Sequence, residues 1–174
     1  MTRCCGKAES RADAKAAEEA LRKRLEGTNV NAQTFLATDY LNHFNEIAMI
    51  LDILADCPEC FEDARSWRPK SYSQHFADSG LSDCALAIEA YARAPDKYRH
   101  RFDRIVEHMD NLVLFALRRL EIPVANQDTD MIQRIGGAVA LRMQELVAMA
   151  SAVIHGNVAT SAQDDVDVLM KQRS

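Results

Sequence analysis

The sequence predicts an all-α fold, a helical bundle of three long amphipathic helices with shorter helices around them, and three observations carry that prediction. Apolar residues recur at helical spacing through three long stretches. No stretch sustains the period-two alternation of a half-buried strand, and no Asn-Gly or Asp-Gly pair marks a hairpin. Only six glycines and four prolines interrupt 174 residues. A chain of that length is one domain with room for a real core. We divide it into a polar N-terminal helix or arm (1–27), a helical bundle domain (28–156), and a tether with a short C-terminal amphipathic helix (157–174).

The elements follow in order. A polar helix over 9–25, rich in Ala, Glu, Lys and Arg, is stopped by Gly27; its thin apolar stripe fits either a mobile arm or a helix laid on the bundle. A strong helix over 32–55 has Asn31 as its N-cap and places Leu36, Tyr40, Phe44, Ile47, Leu51 and Leu54 on one side. Pro58 then begins a turn and a short helical piece that ends near Trp67, before Arg68-Pro69-Lys70 breaks the pattern. Residues 71–81 read as an irregular connection in which Tyr72, His75 and Phe76 cover one end of the bundle. A helix over 82–92 follows, capped by Ser82 and packed through Leu86, Ile88 and Tyr91.

A long helix over 96–121 carries Phe102, Ile105, Val106, Met109, Leu112, Val113, Ala116 and Leu120, and stops before Pro123. The last long helix, 128–155, carries Ile132, Ile135, Val139, Leu146, Met149, Val153 and Ile154 and ends at Gly156. Its Gly136-Gly137 pair either admits a neighbouring helix at close range or introduces a bend.

The net charge of -5 argues against a general nucleic-acid binder, which needs a clustered excess of Lys and Arg. Arg22, Lys23 and Arg24, and Arg99, Arg101 and Arg104, have carboxylates nearby and read as solvated helix faces. No run of about 18 apolar residues exists, so no membrane span is expected. Residues 1–11 lack the apolar core of a secretory signal, which makes the expected location cytoplasmic. Five cysteines without such a signal imply free thiols in a reducing compartment.

Asp39, His43 and Glu46 stand at i, i+4 and i+7, a spacing that aims carboxylate and imidazole ligands the same way for a divalent metal. At roughly 100° per residue, His43 falls within the apolar arc, with Asp39 and Glu46 at its polar edge. The facing helix offers a poor match. Asp103, Glu107 and Asp110 point away from the Met109 stripe and are expected to face water, and only His108 reaches the boundary. The favoured expectation is therefore a boundary His43 held by Asp39 or a backbone group. The alternative is a metal or small ligand bound near Asp39, His43 and Glu46, with Tyr40 beside it.

A phosphotransfer histidine is disfavoured, because its His-x-x-Lys-Gly pattern meets Glu46 and Ile47 here. Cys57-Pro58-Glu59-Cys60 lacks the preceding strand of a thioredoxin-type motif, and zinc would need two further ligands from Cys4, Cys5 or His75. We read it as a helix-ending turn with two partly buried thiols. Nucleophile elbows, phosphate-binding loops and His-Glu-x-x-His are absent, so the reading leans away from an enzyme.

After the tether 157–160, Ser161-Ala162-Gln163-Asp164-Asp165-Val166-Asp167-Val168-Leu169-Met170 forms a capped helix with a small apolar face. This stretch resembles the Ser-Gln-Asp-x-(Ile/Val)-Asp-x-Leu peptide at the start of flagellar motor switch proteins and, in related form, at the end of the chemotaxis phosphatase. The resemblance implies docking on the receiver domain of a phosphorylated response regulator. Gln163, Asp164, Asp165, Val166, Asp167 and Leu169 would form the docking face, with Val166 and Leu169 as apolar anchors. The phosphatase's Asp-Leu-Thr-Gly-Gln run has no counterpart, and Asp130 and Gln133 stand in a different context, so that activity is not implied. The function expected from the whole sequence is a non-enzymatic bacterial signalling adaptor without a cofactor, with homodimerisation left open.

Overall fold

The computed structural model describes residues 5–80 and 82–157, and over them the chain is all-α. Seven α-helices are joined by short turns, and among the described residues the one β feature is an isolated bridge between Val30 and Ala37.

Helix α1 (Cys5–Arg24) ends just before Gly27 takes a φ of +81°, a left-handed conformation that glycine adopts without steric penalty. Leu21 and Leu25 are buried in the core, so the C-terminal end of α1 is laid on the bundle. The Arg22 guanidinium reaches the Ala32 carbonyl at 2.9 Å and lies 5.2 Å from the Phe35 ring centre. Arg24 pairs with Glu89 at 2.8 Å.

The helix expected over 32–55 begins later. A 3-10 turn, Thr38–Leu41, leads into α2 (Asn42–Ile53). Asn31 does cap, but it caps a turn, its carboxamide oxygen accepting the N–H groups of Gln33 at 2.8 Å and Thr34 at 3.1 Å. Local bonding of this kind competes with helix. Thr34 then donates to the Ile154 carbonyl at 2.6 Å, and Phe35 sits at φ +62° with its ring fully buried. A left-handed non-glycine residue costs on the order of 1 kcal/mol or more, less than full burial of a phenylalanine contributes. All six apolar residues assigned to this segment, Leu36 through Leu54, are buried as expected.

Pro58–Cys60 forms a second 3-10 turn and α3 (Phe61–Ser66) follows it. The expectation of free thiols is corrected here, because Cys57 and Cys60 are joined as a disulfide. The turn brings their Cα atoms to 5.5 Å, within the span that a disulfide bridges. Cys84 is a free thiol.

The connection 71–81 is not irregular either, since it holds α4 (Tyr72–Ser79). Ser71 caps this helix by accepting the Gln74 N–H at 3.2 Å, and Gly80 closes it at φ +64°. Helix α5 (Cys84–Ala92) follows Asp83, not Ser82, and has no side-chain cap.

Helix α6 (Asp96–Ala125) continues through Pro123 instead of stopping before it. Proline forfeits one ladder hydrogen bond, and in the last turn no further bonds depend on it. Asp128 accepts the Met131 N–H at 3.0 Å and so caps α7 (Thr129–Ile154). Of the two roles open to the glycine pair, Gly136 takes the close approach. A Cβ there would lie 2.3 Å from the Leu51 carbonyl oxygen of α2.

Helix α7 packs against both α2 and α6, and these three helices enclose the main core. Over 18 residues its mean hydropathy is 1.4, so by length and composition it meets the test for a membrane span that we expected no segment to meet. The buried residues Ile132, Val139, Met143, Leu146, Ala150 and Val153 make it a core helix of the bundle.

Candidate functional site

The three residues singled out on spacing do not converge. Asp39 belongs to the 3-10 turn, and its carboxylate accepts from the Asn29 side-chain amide at 3.0 Å. Glu46 is exposed on α2. His43 is buried, its ring stacks on Trp67 at 4.8 Å, and its Nε2 lies 3.0 Å from the Arg68 carbonyl. A carbonyl only accepts, so Nε2 carries the proton. Of the two expected holders of His43, the backbone group is the one found.

The Trp67 indole N–H in turn donates to the His43 carbonyl at 3.2 Å. Burial is the main reason that the pKa of His43, and of His75 beside it, is lowered, which leaves both rings neutral at pH 7. Among the described residues no group of three His, Cys, Asp or Glu side chains is arranged to hold a metal ion. Asp39 lines only a small cavity of about 80 Å³.

A larger site is built by the 3-10 turn, the 69–72 segment, α5 and α6. Tyr40 enters from the 3-10 turn, Tyr72 from α4, Tyr91 from α5, and Phe102 from α6. Each hydroxyl is anchored. Tyr40 donates to the Lys70 carbonyl at 2.6 Å, Tyr72 accepts the Ala37 N–H at 2.8 Å, and Tyr91 donates to Asp103 Oδ1 at 2.6 Å. The Tyr72 and Tyr91 rings stack at 4.3 Å and 11°, and Tyr40 touches the rings of Tyr72 and Phe102. Burial pushes all three phenols up from their ordinary range, so they remain protonated.

These rings wall a cleft of about 390 Å³ whose other side is α6, through Asp103, Val106, Glu107 and Asp110. Residues 103, 107 and 110 share one face because i, i+4 and i+7 fall together on a helix. The expectation that these carboxylates simply face water is corrected. The 69–72 segment and α5 stand opposite, and only Glu107 is exposed.

Asp110 has the most unusual surroundings. Its Oδ1 is buried and accepts no hydrogen bond. Burial, and then the nearby Glu107 charge, push its carboxyl up to about 6. Among the described residues that line the cleft the one cation is Lys70, and its Nζ is 3.0 Å from Asp78.

The sequence held two signals for this site. The spacing that drew attention to 39, 43 and 46 recurs at 103, 107 and 110, and tyrosines 72 and 91 both precede it in the chain. The proposed docking residues Gln163, Asp164, Asp165, Val166, Asp167 and Leu169 lie outside the described residues. Comparison of the chain with protein-family models, with curated proteins and with solved structures finds no match.

Proposed function

We propose that this chain is a binding protein for a small organic ligand, which it holds in the cleft between α6 and the Tyr40, Tyr72 and Tyr91 rings. The observation that carries the reading is an unpaired, buried carboxylate oxygen on Asp110 in the wall of an aromatic-lined cleft. Buried polar atoms in folded proteins nearly always have partners, and a ligand donor is a natural one for this atom. The cleft volume of about 390 Å³ falls within the range of small-molecule sites. This reading takes up the alternative drawn from the sequence, a bundle binding a metal or small ligand near Asp39, His43 and Glu46, and moves its centre to Asp110.

The test is a fragment screen by NMR against the wild type and a Val106→Trp variant that fills the cleft. Bound fragments should shift the ring resonances of Tyr72 and Tyr91 in the wild type, and those shifts should vanish in the filled variant. Fragments that bind both proteins alike would place the site elsewhere.

A second reading rests on a separate observation, the 161–170 sequence. There the chain acts as a signalling adaptor whose terminal peptide engages a receiver domain. Titration of the full chain with chemotaxis-type response regulators, with and without a phosphate mimic, tests it. Binding that strengthens with the mimic and is lost in Leu169→Ala supports the adaptor; binding indifferent to both removes it.

A further inference from the structure

We infer that the ligand of the cleft is an organic cation, a protonated or quaternary amine seated against the tyrosine rings with its charge toward Asp110. The inference rests on the ligand-binding reading above and names the chemical class of that ligand.

The wall chemistry is one-sided. Three carboxylates, Asp103, Glu107 and Asp110, face a single lysine that already pairs with Asp78. A ligand bearing a carboxylate or phosphate would need donors, and with the Tyr40 and Tyr91 hydroxyl protons committed to the Lys70 carbonyl and to Asp103 it would have only the neutral Ser71 and Tyr72 hydroxyls to set against three carboxylates. What the cleft wall has to spare is negative charge, at the Asp110 carboxylate, whose Oδ1 is unpaired.

The second wall makes the cation organic. Four aromatic rings, Tyr40, Tyr72, Tyr91 and Phe102, line the same space. A cation over such faces gains about 0.5–2 kcal/mol, depending on how dry the site is. A bare metal ion gains little from rings and wants several oxygens converging at short range. Asp103 is engaged by Tyr91, Glu107 is exposed, and no three acidic or metal-ligating groups are so arranged among the described residues. An alkylammonium has the size, the apolar skin and the diffuse charge that the two walls accept together.

Asp110 lines the cleft, so a charge bound there acts on its carboxylate. Desolvation and Glu107 disfavour the charged form of Asp110, and a bound ammonium offsets both.

The experiment uses the full chain and matched pairs of probes differing in charge alone: choline with 3,3-dimethylbutan-1-ol, and trimethyl(phenyl)ammonium with tert-butylbenzene. Affinity is read from the Tyr72 and Tyr91 ring resonances. Each cation should bind at least about tenfold more tightly than its neutral partner, a difference of roughly 1.4 kcal/mol. Asp110→Asn should erase most of that preference, and Glu107→Gln should reduce it less. Raising the salt concentration should weaken the cations only.

If the neutral compounds bind as tightly as the cations, or if the preference survives Asp110→Asn, the cation assignment is overturned while the cleft stands as a site. If none of the four probes, and none of the screened fragments, shifts the tyrosine resonances, the cleft reading fails and takes the inference with it.

Discussion

Helix α6 has two faces, and they do opposite things. Toward the core it presents Ile105, Met109, Val113, Ala116 and Leu120, all buried. One residue along from Met109, Asp110 is half-buried with an oxygen that has no partner. Burying a methionine favours folding by about 2 kcal/mol, whereas burying a carboxylate without a partner opposes it. One side of a single helix holds the molecule together, and the other side holds a charge that the fold would be more stable without. That contrast is what sets the cleft apart from a packing defect. A defect leaves apolar atoms short of neighbours, and here a charged atom is short of a donor.

The largest effect expected from breaking the contrast lies on the core face. Met109→Ala removes a fully buried side chain from the core face of α6 and should cost about 2–5 kcal/mol in denaturant unfolding. A loss under 1 kcal/mol would mean that the bundle repacks, and the two faces would then differ less than the burial pattern implies.

On the cleft face the sign reverses. Asp110 has a carboxyl raised to about 6 when folded, against an ordinary value of about 3.9 when unfolded. Between those two values the folded chain binds more protons, so the group's contribution to stability falls as pH rises and is fully unfavourable above about pH 6. Asp110→Asn should therefore stabilise the protein at pH 7.5, by about 1 kcal/mol once partial solvent screening is allowed for. The gain should shrink toward zero near pH 4, where Asp110 is protonated in the folded state. Relief of the repulsion from Glu107 is part of that gain, whereas Tyr40, whose phenol stays protonated, adds little at this pH. A variant less stable than wild type at pH 7.5 would show that the oxygen has a favourable partner in solution, and the contrast between the faces would be lost.

How far the sequence foretold all this depends on what each residue is held by. The apolar residues Leu36, Tyr40, Phe44, Ile47, Leu51 and Leu54 were assigned to the core by spacing, and they are there, because burial follows hydrophobicity wherever the helix starts. The helix itself starts later than the periodicity indicates. Asn31 and Thr34 satisfy backbone and distant carbonyl groups through their side chains, and periodicity does not register such bonds. The later start reaches the site: with Asp39 in a 3-10 turn, Asp39, His43 and Glu46 do not share one α-helix. Helix α4 was legible in principle, since Ser71 and Gly80 bracket it as cap and terminator. The face of Asp103, Glu107 and Asp110 was not. A helical pattern tells which residues turn away from the apolar stripe, but not whether a second segment stands across from them.

The smallest effect tests the wall opposite α6. The Tyr91 hydroxyl is the one ring hydroxyl that bonds directly to a cleft carboxylate, at 2.6 Å from Asp103 Oδ1. Tyr91→Phe keeps the ring and its 4.3 Å stack on Tyr72, so packing is unchanged and only the hydrogen bond is removed. Because Tyr91 is partly exposed, water can replace the lost donor at Asp103, and the stability cost should stay at roughly 0.5–1 kcal/mol by denaturant unfolding. Asp110 behaves differently because its Oδ1 is shut off from water and has no such replacement. Removal of a donor from Asp103 is therefore tolerated, while supplying one to Asp110 should be felt. A Tyr91→Phe loss well above 2 kcal/mol would mean that Asp103 is as poorly hydrated as Asp110. The unpaired oxygen would then be one part of a wholly buried acidic wall, and not the single point at which the cleft lacks a partner.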